Sequence, residues 1–173
     1  MNTNTLAFIA LCNEYCSLLQ NPAAQTVTKL TDNLLRLLPR IYICARDLKE
    51  ESLSFSEDAW IDHALQEDEY DYLKANLSVL YGENDVYLEV FEEDMKYSDT
   101  PVAASISENL ADIYQVLYDF MQTARMGTDE TVAVAIDAVR SLFKEYWSTT
   151  LCNVLRALNH LWANGLEEEN PDE

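Results

Sequence analysis

The chain has 173 residues, 49% of them hydrophobic, and sets 31 acids against 11 Lys and Arg for a formal net charge of −20. That length suits one domain burying roughly 70% of its unfolded surface, and the hydrophobic fraction argues against wholesale disorder. The charge excludes nucleic acid and anionic membranes as partners, because both are bound through Lys and Arg stripes that this chain lacks.

The acidity is uneven. Residues 1–49 hold three acids and five bases, residues 50–99 sixteen and two, and residues 100–173 twelve and four. The three segments therefore carry +2, −14 and −8. A middle third this acidic suits a basic partner, or simple solubility. Three Gly and four Pro leave little for turns and hairpins, which points to a few long helices.

A first helix is expected from Thr5 to Leu19, where Leu6, Ile9, Cys12, Cys16 and Leu19 recur at helical spacing. Asn21-Pro22 ends it, since the residue before proline avoids the helical basin. A second helix from Ala23 carries Val27, Leu30, Leu34, Leu35, Leu37 and Leu38, with a kink or break near Leu37 because Pro39 removes a donor and clashes one turn back. Ser54 and Glu57 have the spacing of a capping box for a short helix through Trp60 and His63. The pattern Tyr70, Leu73, Leu77, Leu80 predicts a helix from Asp68 to Tyr81, stopped by Gly82, and another short helix follows from Asp85 to about Met95. Asp99-Thr-Pro101 reads as a turn.

Ser105 and Glu108 form a second capping-box pattern, and Ile106, Leu110, Ile113, Leu117, Phe120, Met121 and Ala124 then make one apolar stripe. Glu108, Asp112, Gln115, Asp119 and Gln122 fall on the opposite face. Gly127 closes this helix, and Thr128 or Asp129 restarts the chain. No Gly or Pro occurs between Glu130 and Asn164, where Val132, Ile136, Val139, Phe143, Tyr146, Val154 and Leu161 continue a stripe. Either one helix of about 50 Å results, or two split at Ser148 to Thr150. Gly165 ends it, and Glu167 to Glu173 reads as an acidic, mobile tail.

No C-x-x-C pair occurs among Cys12, Cys16, Cys44 and Cys152, so all four are read as reduced residues filling helix cores. The stretch from Leu6 to Cys12 has the look of a lipoprotein leader, but no Lys or Arg precedes Lys29 and Leu11 is a poor substitute for a small residue before the cysteine. No run reaches the roughly 18 apolar residues of a membrane span. The expected location is cytoplasmic.

Several phrases are similar to those of one family. Leu37-Leu-Pro-Arg-Ile-Tyr42 resembles its "LLPxLY", and Leu80-Tyr-Gly-Glu-Asn-Asp-Val-Tyr-Leu-Glu-Val-Phe91 its "LG-x-x-D-x-Y-x-x-VF". Ser105-Ile-Ser-Glu-Asn-Leu-Ala-Asp-Ile-Tyr-Gln115 resembles "SLSEDLADIYQ", and Trp147 with Leu155-Arg-Ala-Leu158 the closing "HWG…LRAL". The family is a bacterial group catalogued as a domain of unknown function and understood to be helical. The resemblance covers the chain after Gln25 and implies a helical fold, with no activity attached. Tyr146 and Ser148 replace the pattern's His and Gly beside Trp147, so no role for that histidine carries over.

Chemistry-bearing residues are few. Glu108, Asp112 and Asp119 share a helix face, yet the Glu-x-x-His pairs of di-metal bundles are absent around His63 and His160, and neither a metal nor a cofactor is assigned. A solvated polar face, or an ion pair from it to Arg156 or Arg140, is the plainer expectation. Asn153, Arg156 and His160 share the polar face of the last helix; if Asp112 faces them, a polar pocket follows. Asp112, Arg156, His160 and Glu108 are therefore the candidate ligand residues. No phosphate-binding glycine loop or nucleophile elbow occurs. Tyr70, Tyr72, Tyr81, Tyr87 and Tyr97 lie in the acidic third, most of them expected in the core and the rest in an acidic, aromatic patch.

These readings define an all-α bundle of about six to seven helices with a long C-terminal helix, residues 1–165 forming one domain and 166–173 a tail. The favoured function is a non-catalytic interaction protein whose acidic middle binds a basic partner. The alternatives are a small-ligand or metal-binding protein or enzyme using a pocket at Asp112 and Arg156, and a subunit that self-associates through the last helix. The sequence assigns no oligomeric state.

Overall fold

The structure, a computed structural model, describes residues 2–50, 60–89, 97 and 102–166. Its helices are α1 (Thr3–Leu19), α2 (Val27–Arg46), α3 (Glu67–Tyr81), α4 (Ile106–Met126), α5 (Asp129–Leu142) and α6 (Ser148–Asn164). A two-stranded antiparallel sheet, β1 (Val86–Leu88) with β2 (Ala103–Ser105), precedes α4, in the register Val86 to Ser105 and Leu88 to Ala103. The fold is all-α.

Side-chain caps set most of the helix starts. Asn2, Thr26, Ser105 and Thr128 each accept the backbone N–H three residues on, at 2.9, 3.3, 3.2 and 3.3 Å. Gln66 begins α3 instead, with its own N–H donated 3.0 Å to the Glu69 carboxylate. Gly82 and Gly165 take positive φ at the ends of α3 and α6, where a side chain would be strained.

Three expected segments differ. α2 begins at Val27, after a separate 3-10 turn Pro22–Ala24, and runs through Pro39 without a break. Leu34, Leu37, Leu38 and Ile41 on either side of the proline are all buried, and packing holds the helix together across the missing hydrogen bond. Residues 60–66 hold no helix, so none passes through Trp60 and His63; Ser54 and Glu57 lie outside the described residues. Val86–Leu88 is a strand where a helix from Asp85 was expected, because its pairing with β2 outweighs a short apolar period. Residues 90–95, the turn at 99–101 and the tail 167–173 are likewise outside the described residues. Counting α5 and α6 as one rod gives five helices among the described residues, slightly fewer than expected.

That rod is continuous but not uniform. One π-turn, Phe143–Trp147, joins α5 to α6 and ends immediately before Ser148, where the expected split begins. Ala135, Val139, Phe143, Trp147 and Leu151 are all buried, a spacing of four. In a regular α-helix each step of four drifts about 40° around the axis, so this run would spiral off the core. One wider turn corrects the phase. It also exchanges two aromatic roles: Trp147 is fully buried, whereas Tyr146, expected in the stripe, is 45% exposed.

One hydrophobic cluster gathers side chains from all six helices. Phe8 packs between Phe120 and Trp147, with ring centroids 5.5 and 6.5 Å away, and Phe143 meets Trp147 edge-on at 4.5 Å. The buried polar atoms are paired: Trp147 Nε1 donates to the Val139 carbonyl at 3.2 Å, and the Tyr15 hydroxyl to the Leu110 carbonyl at 2.9 Å. Cys12 and Cys16 are buried thiols whose pKa rises with burial, that of Cys16 to about 12. Cys44 is half-buried, and Cys152 lies on the surface rather than in the core. Among the described residues no helix is long and apolar enough to cross a membrane.

Candidate functional site

The polar face of α4 is held by neighbours on every side. Glu108 accepts from Lys74 Nζ of α3 at 3.0 Å. Asp112, one turn on, accepts two phenol O–H groups at 2.7 Å, Tyr70 from α3 on one oxygen and Tyr146 from the π-turn on the other. Burial, then the Asp112 carboxylate, drives both phenols to lose protons less readily, Tyr146 rising to about 12. The two O–H groups are thus fixed as donors, and Asp112 links three elements.

Asp119 does not lie on a solvated face. Its side chain is buried, and its Oδ1 accepts from the backbone N–H groups of Ala64 and Leu65 at 2.9 and 2.8 Å. Thr123, one turn on, accepts from the Asp62 N–H at 2.9 Å. Together they tie the loop before α3 onto α4. Burial lifts the Asp119 carboxyl above the usual carboxylate range, against the lowering pull of the two amides and of His63, whose Nδ1 is 3.6 Å away.

The remaining candidates sit apart. Arg156 donates to the Leu88 carbonyl at 2.7 Å with its guanidinium carbon 5.7 Å from the centre of the Tyr87 ring, which fastens β1 to α6. Asn153 supports the same strand through the Glu89 carboxylate at 2.7 Å. Among the described residues His160 hydrogen-bonds with Asn164 of its own helix alone. No hydrogen bond or ion pair joins any two of Glu108, Asp112, Arg156 and His160, and the expected ion pairs to Arg156 and Arg140 are replaced by Lys74 and the tyrosines. Among the described residues no three His, Cys, Asp or Glu side chains come within reach of one metal ion.

A cleft lies on the other side of α3. It has a volume of about 400 Å³ and is walled by Asp68, Glu69 and Tyr72 of α3 and by Tyr114 and Tyr118 of α4, with Leu19, Leu65 and Leu73 among its apolar lining. Helical spacing builds both walls: Tyr114 and Tyr118 are four apart and stack at 5.5 Å, and Tyr72 stands one turn after Asp68. Tyr72 is 72% exposed. Leu65 reaches the cleft because Asp119 holds its backbone. Among the described residues no Lys or Arg lines it. Sequence reasoning named Tyr72 among five tyrosines of the acidic third without saying which would form a surface patch, and it missed Tyr114 and Tyr118, whose only signal was a Tyr-x-x-x-Tyr spacing.

Aromatic faces beside carboxylates attract cations: the ring quadrupole and the negative charge act together within about 6 Å. The molecule is therefore an all-α helical protein, heavily acidic, with a cleft of tyrosines and carboxylates between α3 and α4. The chain belongs to the family described as a domain of unknown function, DUF5063, whose model matches residues 1–164. It is also similar to the crystal structure of protein BF1032 from Bacteroides fragilis, a structural-genomics target, with 27% identity and a TM-score of 0.81 over 96% of this chain and 97% of that one. No curated protein matches the chain.

Proposed function

We propose that this chain is a non-catalytic interaction protein that binds a basic segment of a partner through the face carrying the Tyr72, Tyr114 and Tyr118 cleft. The single observation supporting this is the lining itself, three tyrosines and two carboxylates with no base among the described residues, both carboxylates coming from the acidic middle third of a chain of net charge −20. Tyrosine offers contact area at small rotamer cost, and a cation passing between ring faces keeps part of its solvation through the carboxylates. The surrounding acids steer basic partners towards this face over a distance set by salt, about 10 Å at 0.1 M ionic strength.

The test is titration of the immobilised protein with a Lys- and Arg-rich synthetic peptide, and with a Gln-substituted peptide of equal length, at low and high salt. The basic peptide should bind, release as salt rises, and weaken about tenfold with Asp68→Asn combined with Tyr72→Ala. Binding that ignores salt, or that is equal for the Gln peptide, overturns the reading.

A further inference from the structure

A second concavity has the opposite chemistry. Between α2 and α6 runs a groove of about 630 Å³, a size common for small-molecule sites, whose apolar surface comes from Leu35, Pro39, Leu155 and Trp162. Trp162 is 60% exposed, although a tryptophan on a helix surface is normally drawn into cover. Two of the chain's 11 bases, Arg36 and Arg156, line the same groove, and Asp32 is its one acid among the described residues. The described lining thus carries +1, on a chain of net charge −20.

The two guanidiniums differ in how they are held. Arg36 is paired in a two-point contact with Asp32, at 3.0 and 3.2 Å, both side chains being well exposed. Arg156 has no carboxylate within ion-pair distance among the described residues; one of its N–H groups meets the Leu88 carbonyl and its plane lies by Tyr87. Those contacts hold the guanidinium in place and, among the described residues, engage one of its five donors. A positioned guanidinium without a carboxylate partner among the described residues, beside an apolar trough, matches a carboxylate attached to a hydrocarbon body, since the planar fork pairs with the two oxygens and the trough covers the tail.

We propose that the α2–α6 groove binds an apolar monocarboxylate, its tail along Leu35, Pro39, Leu155 and Trp162 and its head at Arg156 with Arg36 beside it. The site is independent of the basic-partner cleft. Asp32 is then an internal competitor: it occupies Arg36, and removing its charge frees that guanidinium for the ligand.

The probe is dodecanoate below its micellar concentration, read by tryptophan emission, with dodecanol as its neutral counterpart. Dodecanoate should shift the emission saturably, and Trp162→Phe should abolish the shift, because Trp60 and Trp147 lie elsewhere. Arg156→Gln should weaken binding about tenfold and Arg36→Gln severalfold, whereas Asp32→Asn should tighten it severalfold. Arg156→Gln also loosens Leu88, so the Arg36 and Asp32 variants, which alter only an exposed pair, carry the decision on their own. Dodecanol binding as tightly as dodecanoate, or Asp32→Asn and Arg36→Gln both leaving the affinity unchanged, overturns the proposal. Tyr72→Ala should leave dodecanoate binding intact; its loss there would mean that the two concavities are one site.

Discussion

The α3–α4 cleft and the α2–α6 groove are built by the same means and end with opposite character. Each lies between two helices packed on the shared core, and each takes its lining from residues three and four apart. The cleft draws on the acidic middle third and on the tyrosines of α4; the groove draws on α2, from the one third whose bases outnumber its acids. Charge along the sequence thus becomes charge across the surface, because each helix keeps its polar residues on one side. What separates the two sites is which polar groups are already satisfied. Glu69 caps α3 and Arg36 holds Asp32, while Arg156 spends one donor on the Leu88 carbonyl and meets no carboxylate among the described residues.

The widest break in this comparison removes what both regions share. Trp147→Ala should cost about 3–5 kcal/mol, since a fully buried indole leaves a cavity against Phe8 and Phe143. Urea unfolding measures it, and a loss under about 1 kcal/mol would mean that the π-turn is not fixed by this side chain.

A narrower change acts on the cleft alone. Asp119→Ala strips two loop amides of their acceptor and should cost about 2–3 kcal/mol, with amide exchange quickening at Ala64 and Leu65 while α2 and α6 stay protected. Uniform loss of protection would refute a local tie.

Smaller still is the contribution of one ring. Tyr118→Ala should weaken the basic peptide by roughly 0.5–1 kcal/mol and leave dodecanoate binding unchanged. Equal losses at both sites would show a general loosening of the fold in place of a lost aromatic contact.

The least effect is one of pH. Because burial raises the Asp119 carboxyl in the folded state, the stability tied to that group is full below its unfolded value of about 3.9 and is lost as pH rises through the folded value. Asp119→Asn removes the dependence, so the variant should gain relative to the parent from acid towards neutral pH. A difference in urea midpoint that stays constant with pH would contradict this.

Much of the fold was legible, and the reasons are local. The stripe from Ile106 to Ala124, the cap at Ser105 and the stop at Gly82 each act within a few residues, so spacing alone revealed α3 and α4. β1 was not legible, since three residues become a strand only through a partner about seventeen positions away. Of the candidate site, Glu108 and Asp112 do face other elements, but their partners Lys74, Tyr70 and Tyr146 come from α3 and the π-turn.

The sequence by itself determined an acidic, all-α chain and most of the helix ends, because periodicity, capping and net charge need no knowledge of neighbours. Tertiary structure decided that Asp119 is buried and ties a loop, that Trp147 rather than Tyr146 enters the core, and that Arg156 faces Leu88 and not Asp112. Each of those outcomes depends on which helix lies opposite, and packing geometry alone supplies that.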